Sequence, residues 1–277
     1  MAEKIFSKIP MATWRWLGVN NAMAEEKLLA VADTRSFKIP AGTDKEAVVV
    51  FRQEQYGKIQ VKLGENSRLK LTYVQLADTD KDYAGEIEIQ LSDGAQLEMA
   101  AVEAGGKKAV SKVLVNLAGN SSRADVSVLY LGDKQRVLDM NYVMVQSGKK
   151  CEAKLEVYGA LLDKAEKIFR GTLDFKRGAK GAAGQEKEQV VVLSSQVRNR
   201  SVPLMLSGES EVDGHHAVSI GKIDEAKLYY LMSRGLEMAE AKKLVVEAAF
   251  APVMSRITDT ELQGELQHYI KERLSDA

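Results

Sequence analysis

The chain has 277 residues, enough for one or two domains and for a substantial core without help from a metal or a disulfide. Its 39 Lys and Arg balance 39 Asp and Glu, which argues against a general electrostatic grip on nucleic acid or on an anionic membrane. The single Cys excludes an intramolecular disulfide and fits a reducing compartment. No apolar run approaches the ~18 residues of a membrane span. Residues 1–10 lack the apolar stretch of a signal peptide, so a soluble, cytoplasmic protein is expected.

In chain order, the first predicted element is a helix over residues 20–31, with Asn at its N-cap and Ala, Met, Glu, Lys and Leu behind it. It would make residues 1–40 a helical N-terminal segment. Residues 41–222 then read as short runs of alternating polarity. Lys58-Ile59-Gln60-Val61-Lys62-Leu63, Glu86-Ile87-Glu88-Ile89-Gln90-Leu91 and Glu152-Ala153-Lys154-Leu155-Glu156-Val157 are three of them. Alternation with period two sends successive side chains to opposite faces, as in a half-buried strand. Gly64-Glu65-Asn66-Ser67, Ser92-Asp93-Gly94 and Gly119-Asn120-Ser121-Ser122 supply turns between runs.

The runs repeat. Leu63, Leu91, Leu117, Val145 and Leu173 each close one, at intervals of 28, 26, 28 and 28 residues. A period in this range points to stacked units, each too small to bury its own apolar face. A parallel β-helix or another β-solenoid fits. A β-sandwich with evenly spaced hairpins is the alternative, because alternation does not separate parallel from antiparallel pairing.

Residues 223–277 turn helical again. Asp224 is placed to cap a helix running to Arg234, and Gly235 to end it in a left-handed conformation. Leu236, Ala239, Leu244, Ala248 and Ala249 follow at helical intervals, with Pro252 positioned to kink the element. Thr258-x-x-Glu261 reads as a capping box opening a last helix.

The chain carries no G-x-x-x-x-G-K-[ST] and no G-x-G-x-x-G, so no nucleotide is expected to bind it. The glycine-rich residues 178–184 lack the lysine–hydroxyl pair of a phosphate loop and read as a flexible connection. C-x-x-C, H-E-x-x-H and G-x-S-x-G are also missing. What remains is His215, His216 and Cys151. Adjacent histidines on a strand face opposite ways, while at a turn both approach one ligand. Imidazole suits iron or zinc and thiolate suits an iron–sulfur cluster, but an all-thiolate cluster takes about four cysteines. Any cluster would need ligands from histidine, carboxylate or a second subunit. The plainer alternative is a solvated histidine pair and a cysteine that packs as a small hydrophobe.

Several motifs fall in order towards the C-terminus. They are Phe169-Arg170-Gly171-Thr172-Leu173, then Gln185 with Val190-Val191-Val192-Leu193-Ser194 and Pro203-Leu204-Met205-Leu206, then residues 216–223, then Leu228-Tyr229-Tyr230-Leu231-Met232-Ser233-Arg234-Gly235-Leu236. This set resembles the SufB/SufD family of the SUF iron–sulfur cluster assembly system, whose patterns are F-x-G-x-[LI], Q…LLLS…P-x-L-x-I, H-G-A-T-V-G-x-[IL] and [LF]-F-Y-L-x-S-R-G-[IL]. Pro10, Trp14 and Trp16 resemble the family's N-terminal P-x-x-x-W-x-[WY]. Gly214 stands where SufD-like members often have Cys, and Ala217 and Val218 replace the Gly and Ala after the motif histidine. These departures, with the scarcity of cysteine, favour a SufD-like, compact member.

The resemblance implies a right-handed parallel β-helix core flanked by short N-terminal helices and a C-terminal helical domain. It also implies a non-enzymatic cytosolic scaffold that pairs with itself or with a SufB-like subunit, and docks a SufC-like ABC-type ATPase through residues near 224–257. Leu228, Tyr229, Tyr230, Leu231 and Arg234 are the docking candidates. Their bland alternative is packing within the domain, since Tyr and Leu at helical spacing are ordinary core residues. His216 is carried over as a contact for iron or a transient iron–sulfur cluster, with His215 and Cys151 as weaker candidates. Two rivals stand beside this reading. One is a β-helix interaction module without cluster chemistry. The other is a polysaccharide-active β-helix enzyme, disfavoured by an aromatic content of 6%. Neither nucleic acid nor a membrane is an expected partner.

Overall fold

The structure is a computed structural model describing residues 2–275; residues 1, 276 and 277, the outer limits of the predicted terminal segments, lie outside the described residues. Fourteen strands alternate between two seven-stranded sheets. One holds β4 (Asp44–Phe51), β6 (Arg68–Gln75), β8 (Gln96–Glu103), β10 (Arg123–Gly132), β12 (Glu152–Leu161), β14 (Ala183–Val192) and β16 (Asp213–Lys222). The other holds β3 (Ala32–Ile39), β5 (Gln55–Leu63), β7 (Asp82–Leu91), β9 (Lys108–Leu117), β11 (Val137–Gln146), β13 (Glu166–Phe175) and β15 (Arg198–Ser207). Each strand pairs in parallel with the strand two further along, so the chain coils as a two-sheet solenoid. Parallel pairing decides against the sandwich.

The inner faces stack like on like. Leu63, Leu91 and Leu117 stand directly over one another, as the repeat predicts. Beyond Leu117 the sequence register needs correction. The next residues in that column are Gln146 and Phe175, whereas Val145 and Leu173 are displaced by one and two positions. A shift of one residue changes face, and Val145 accordingly lies on the outer surface, half-buried, while Leu173 stays in the core.

Turns stack as well. The residue just before β6, β8, β10, β12 and β14 is Ser67, Ala95, Ser122, Cys151 and Ala182, a column of small buried side chains. The left-handed residues of these turns include Asn66, Gly94, Ser121, Lys150 and Gly181. The glycine-rich residues 178–182 form one such turn, while Ala183 and Gly184 already belong to β14.

The predicted N-terminal helix over residues 20–31 is not formed. Residues 21–25 are a strand, β2 (Asn21–Glu25), antiparallel to β1 (Glu3–Lys8), and turns follow it. Helix propensity loses here to tertiary contact. Ala22 and Ala24 are buried, and Ala24 packs with Ala84 and Val110 on the outer face of the second sheet. Asn20 caps no helix; its Oδ1 accepts from the Thr13 amide at 2.8 Å and closes the loop between the two strands. Among the described residues before residue 40, the helical element is a short 3-10 segment, Arg15–Leu17.

Three helices follow β16: α1 (Glu225–Ser233), α2 (Met238–Met254) and α3 (Thr260–Ser275). Asp224 caps α1 by accepting from the Ala226 amide at 2.9 Å, and Gly235 has φ +97°, both as predicted. A reciprocal Glu237–Glu240 capping box opens α2, which runs through Pro252 and ends two residues later. For α3 the cap is Asp259, whose Oδ1 accepts from Glu261 and Leu262, not Thr258, which bonds Glu46. The buried stripe of α2 is Ala241, Val246, Phe250, Val253 and Met254, while Leu244 faces solvent. With Leu262, Leu266, Ile270 and Leu274 of α3, it covers the outer face of the first sheet over Val74, Val102, Leu129, Leu131 and Ala160. This is why alternation gives way to continuous apolar residues in the second half of β8 and β10. α2 and α3 share their core with the solenoid.

Candidate functional site

The two ends of the solenoid differ. At the first end the edge strands β3 and β4 are short and charged, and the inward-facing Lys45 sits 5.8 Å over the Phe37 ring. An inward charge is a common device against edge-to-edge pairing. At the other end β15 and β16 are each paired on one side only. All residues of β16 except Gly214 are exposed, including Val218 at 38% and Ile220 at 48%.

His215 and His216 both lie on β16, on opposite faces as adjacent strand residues must. His215 points outward and pairs through Nε2 with Asp213 Oδ1 at 2.9 Å. It closes one end of an open trough of about 640 Å³ along the outer face of the first sheet, where Arg123, Asp125, Glu152 and Lys154 also stand. Two acids of this trough are held in ion pairs with arginine, Asp125 with Arg256 and Glu152 with Arg123.

His216 belongs to the inner column Ala47, Leu71, Met99, Val126, Leu155, Glu186, His216. Five apolar residues thus give way to a carboxyl and then an imidazole at the mouth. Glu186 is 1% exposed, and neither carboxyl oxygen has a hydrogen-bond partner among the described residues. Burial, with Glu188 nearby, pushes its pKa up to about 8. Gly171 across the lumen leaves the room this carboxyl fills, since a Cβ there would overlap Glu186 Oε1.

Two residues further along the same strand, Glu188 is paired through Oε1, while its Oε2 has no partner among the described residues. Lys167 Nζ donates to Glu188 Oε1 at 2.5 Å and to Ser201 Oγ at 2.9 Å, and Tyr130 donates to Glu188 at 3.1 Å. Burial pushes the Lys167 ammonium down against the pull of Glu188. Glu103, fully buried and accepting from Tyr142 at 3.0 Å, is pushed up by burial to about 7.

Cys151 is apart from all this. It is fully buried in the small-residue turn column, with Sγ 3.2 Å from the Gly119 carbonyl and 3.4 Å from Ser122 Oγ, and its strand lies two strands from β16. The structure gives it a packing position and does not bring it to the histidines. Among the described residues no three His, Cys, Asp or Glu converge as a metal site. The donors near the mouth are one imidazole and one orphan carboxyl, a nitrogen–oxygen set suited to a divalent first-row ion rather than to a thiolate cluster.

The docking candidates sit on α1, which has no buried residue. Tyr229 is 77% exposed and Tyr230 57%, with the Arg234 guanidinium 5.3 Å over the Tyr230 ring. Leu228 and Leu231 are half-buried. Packing within the domain therefore does not explain this helix. Sequence reasoning missed Glu186. The available signal was parity, because Gly184, Glu186, Glu188 and Val190 place two acids on the face that a solenoid turns inward.

These features define a β-solenoid protein with an uncovered last turn and a helix displayed beside it. The profile described as SUF system FeS cluster assembly, SufBD core domain, matches residues 22–249. The chain belongs to this SufBD family of the SUF iron–sulfur cluster assembly system, as its motifs predict. It is 29% identical over 165 residues to the iron–sulfur cluster assembly protein SufD of Bacillus subtilis, covering 60% of this chain and 38% of that protein. It is 27% identical over 241 residues to a SufBD family protein of Mycobacterium bovis, covering 83% and 61%. A Pyrococcus horikoshii SufBD family protein is 25% identical over 195 residues, covering 70% and 43%. The match spans less than two thirds of the length of each of these relatives. No helix among the described residues is long and apolar enough to cross a membrane.

Proposed function

We propose that this chain is a cytoplasmic scaffold subunit of iron–sulfur cluster assembly, without catalytic activity of its own. It docks a SufC-like ABC-type ATPase through α1 and pairs through the open end of its solenoid with a second copy or a SufB-like subunit. Iron or a transient cluster is the cargo, met at His216 on that interface. The observation that carries the reading is the exposure of α1: two tyrosines and an arginine stand in solvent on a helix with no buried residue. Aromatic residues and Arg are enriched at the centres of protein interfaces. Support for pairing comes from β15 and β16, whose outer edges carry unpaired backbone groups beside exposed Val218 and Ile220.

Purification from the native host under anaerobic conditions tests the reading. An ABC-type ATPase recovered in near-equal amount, and lost with Tyr229→Glu, is the expected result; a chain recovered alone overturns it. A second reading, an interaction module without cluster chemistry, is favoured by the burial of Cys151 and the lack of three converging ligands among the described residues. Anaerobic reconstitution with iron and sulfide separates the two, since the module stays colourless.

A further inference from the structure

We propose that Glu186 is a second ligand, beside His216, for a divalent first-row metal ion taken up at the open mouth of the solenoid. The inference rests on the reading of this end as the one that handles iron, and it assigns a residue that no motif marks. Three observations converge on it.

The first is register. Glu186 and His216 are ladder partners on the inner face of β14 and β16, one strand spacing or about 4.8 Å apart. The second is the unmet bonding capacity of Glu186. A carboxyl that is 1% exposed with both oxygens unpartnered is costly in a native interior. Its neighbour Glu188, equally buried, is held through Oε1 by Lys167 and Tyr130, and only its Oε2 lacks a partner among the described residues. Glu186 has the same burial without the partners, and a bound cation supplies what is missing. The third is space: Gly171 opposite leaves the carboxyl room, and the column ends there because no further strand covers His216.

Two protein ligands leave coordination positions for water, sulfide or groups of a second subunit. A nitrogen–oxygen pair suits Fe²⁺ and its surrogate Co²⁺ better than Cu(I), which prefers thiolate and thioether. The rival site is His215 with Asp213, exposed on the other face of the same strand.

Calorimetric titration of the whole chain with Co²⁺ tests the proposal, with the visible absorption of the bound ion as a second readout. Glu186→Gln and His216→Ala are each expected to weaken binding by about tenfold or more, while His215→Ala changes it less than about twofold. Gln preserves the shape of Glu186, and circular dichroism reports whether the fold is kept. Glu186→Asp, which withdraws the carboxyl by one methylene, provides a second test and is expected to weaken binding as well. Wild-type binding retained in Glu186→Gln, binding lost with His215→Ala alone, or no binding by the wild-type chain each overturns the proposal. Because the titration uses the isolated chain, its outcome is separate from ATPase capture. Cobalt bound through Glu186 by a chain that captures no ATPase would keep this inference and discard the docking reading, and the converse would do the opposite.

Discussion

The guanidinium of Arg170 donates through Nε to the backbone carbonyl of Val19, 151 residues earlier in the chain. The same side chain, fully buried on the outer face of β13, also reaches the carbonyl of Asn21 at 3.2 Å and pairs with Asp139. One arginine thus fastens the β1–β2 hairpin to β13, the second-from-last strand of the second sheet.

Replacing it exposes that role. Arg170→Met leaves Asp139 buried without its partner, which costs about 3–5 kcal/mol for a broken buried pair. Urea unfolding should show that loss, and limited proteolysis should release the N-terminal hairpin before the solenoid is cut. The double variant Arg170→Met/Asp139→Leu should recover part of the stability, because no charge is then stranded. An unchanged urea midpoint in the single variant would show that the pair fastens nothing.

Tyr229→Glu should leave the urea midpoint within about 0.5 kcal/mol of wild type, as expected for a substitution on an exposed surface. ATPase capture should fall below detection. Unfolding of the variant would return α1 to the status of a packed helix, contrary to its exposure.

Cys151 should be silent in any cluster chemistry. A thiol reagent should modify it only as fast as the protein unfolds, since its sulfur is fully buried. Cys151→Ala should cost about 1 kcal/mol through lost packing, and a reconstituted cluster should keep its absorption spectrum. A bleached spectrum would make the thiol a ligand after all.

Stability should fall as pH rises across the range in which Glu103 stays protonated in the fold. Burial lifts its pKa from 4.5 to about 7. Its contribution is therefore fully present below about pH 4.5 and is lost as the pH rises through about 7, on the order of 3 kcal/mol for a shift of that size. Glu103→Gln should reduce the slope over this window without abolishing it, because Glu186, raised by burial to about 8, contributes with the same sign. Glu86 has the opposite sign. Burial raises its pKa, but hydrogen bonds from Lys112, Tyr56 and Lys58 outweigh that and bring it down to about 2, so its share is present above about pH 4.5 and is lost as the pH falls from there through about 2. Urea midpoints measured from pH 3 to pH 9 separate the two slopes.

Much of the solenoid was legible because its inner face obeys simple alternation. Leu63, Leu91 and Leu117 gave the true stacking distance. Register was lost at Val145, where an apolar residue occupies the outer face and mimics the end of a strand. The hairpin at residues 21–25 was illegible for a different reason: alanines with high helix propensity are used there for their small size against Ala84 and Val110. The candidate site was half legible. His216 stands in a motif, but Glu186 becomes meaningful only when a strand thirty residues on is laid beside it.

Only Ile223 and Asp224 separate β16 from α1. Such a tether is too short to absorb slack, so a load applied to the helix is delivered to the strand that carries His216. Because β16 is bonded to the sheet on one side, the direction of that load matters. Pulled along its own axis, the strand shares the strain over its whole ladder at once; lifted away from β14, it unzips bond by bond from Lys222 backwards. The second route is mechanically weak, and it begins six residues from the imidazole.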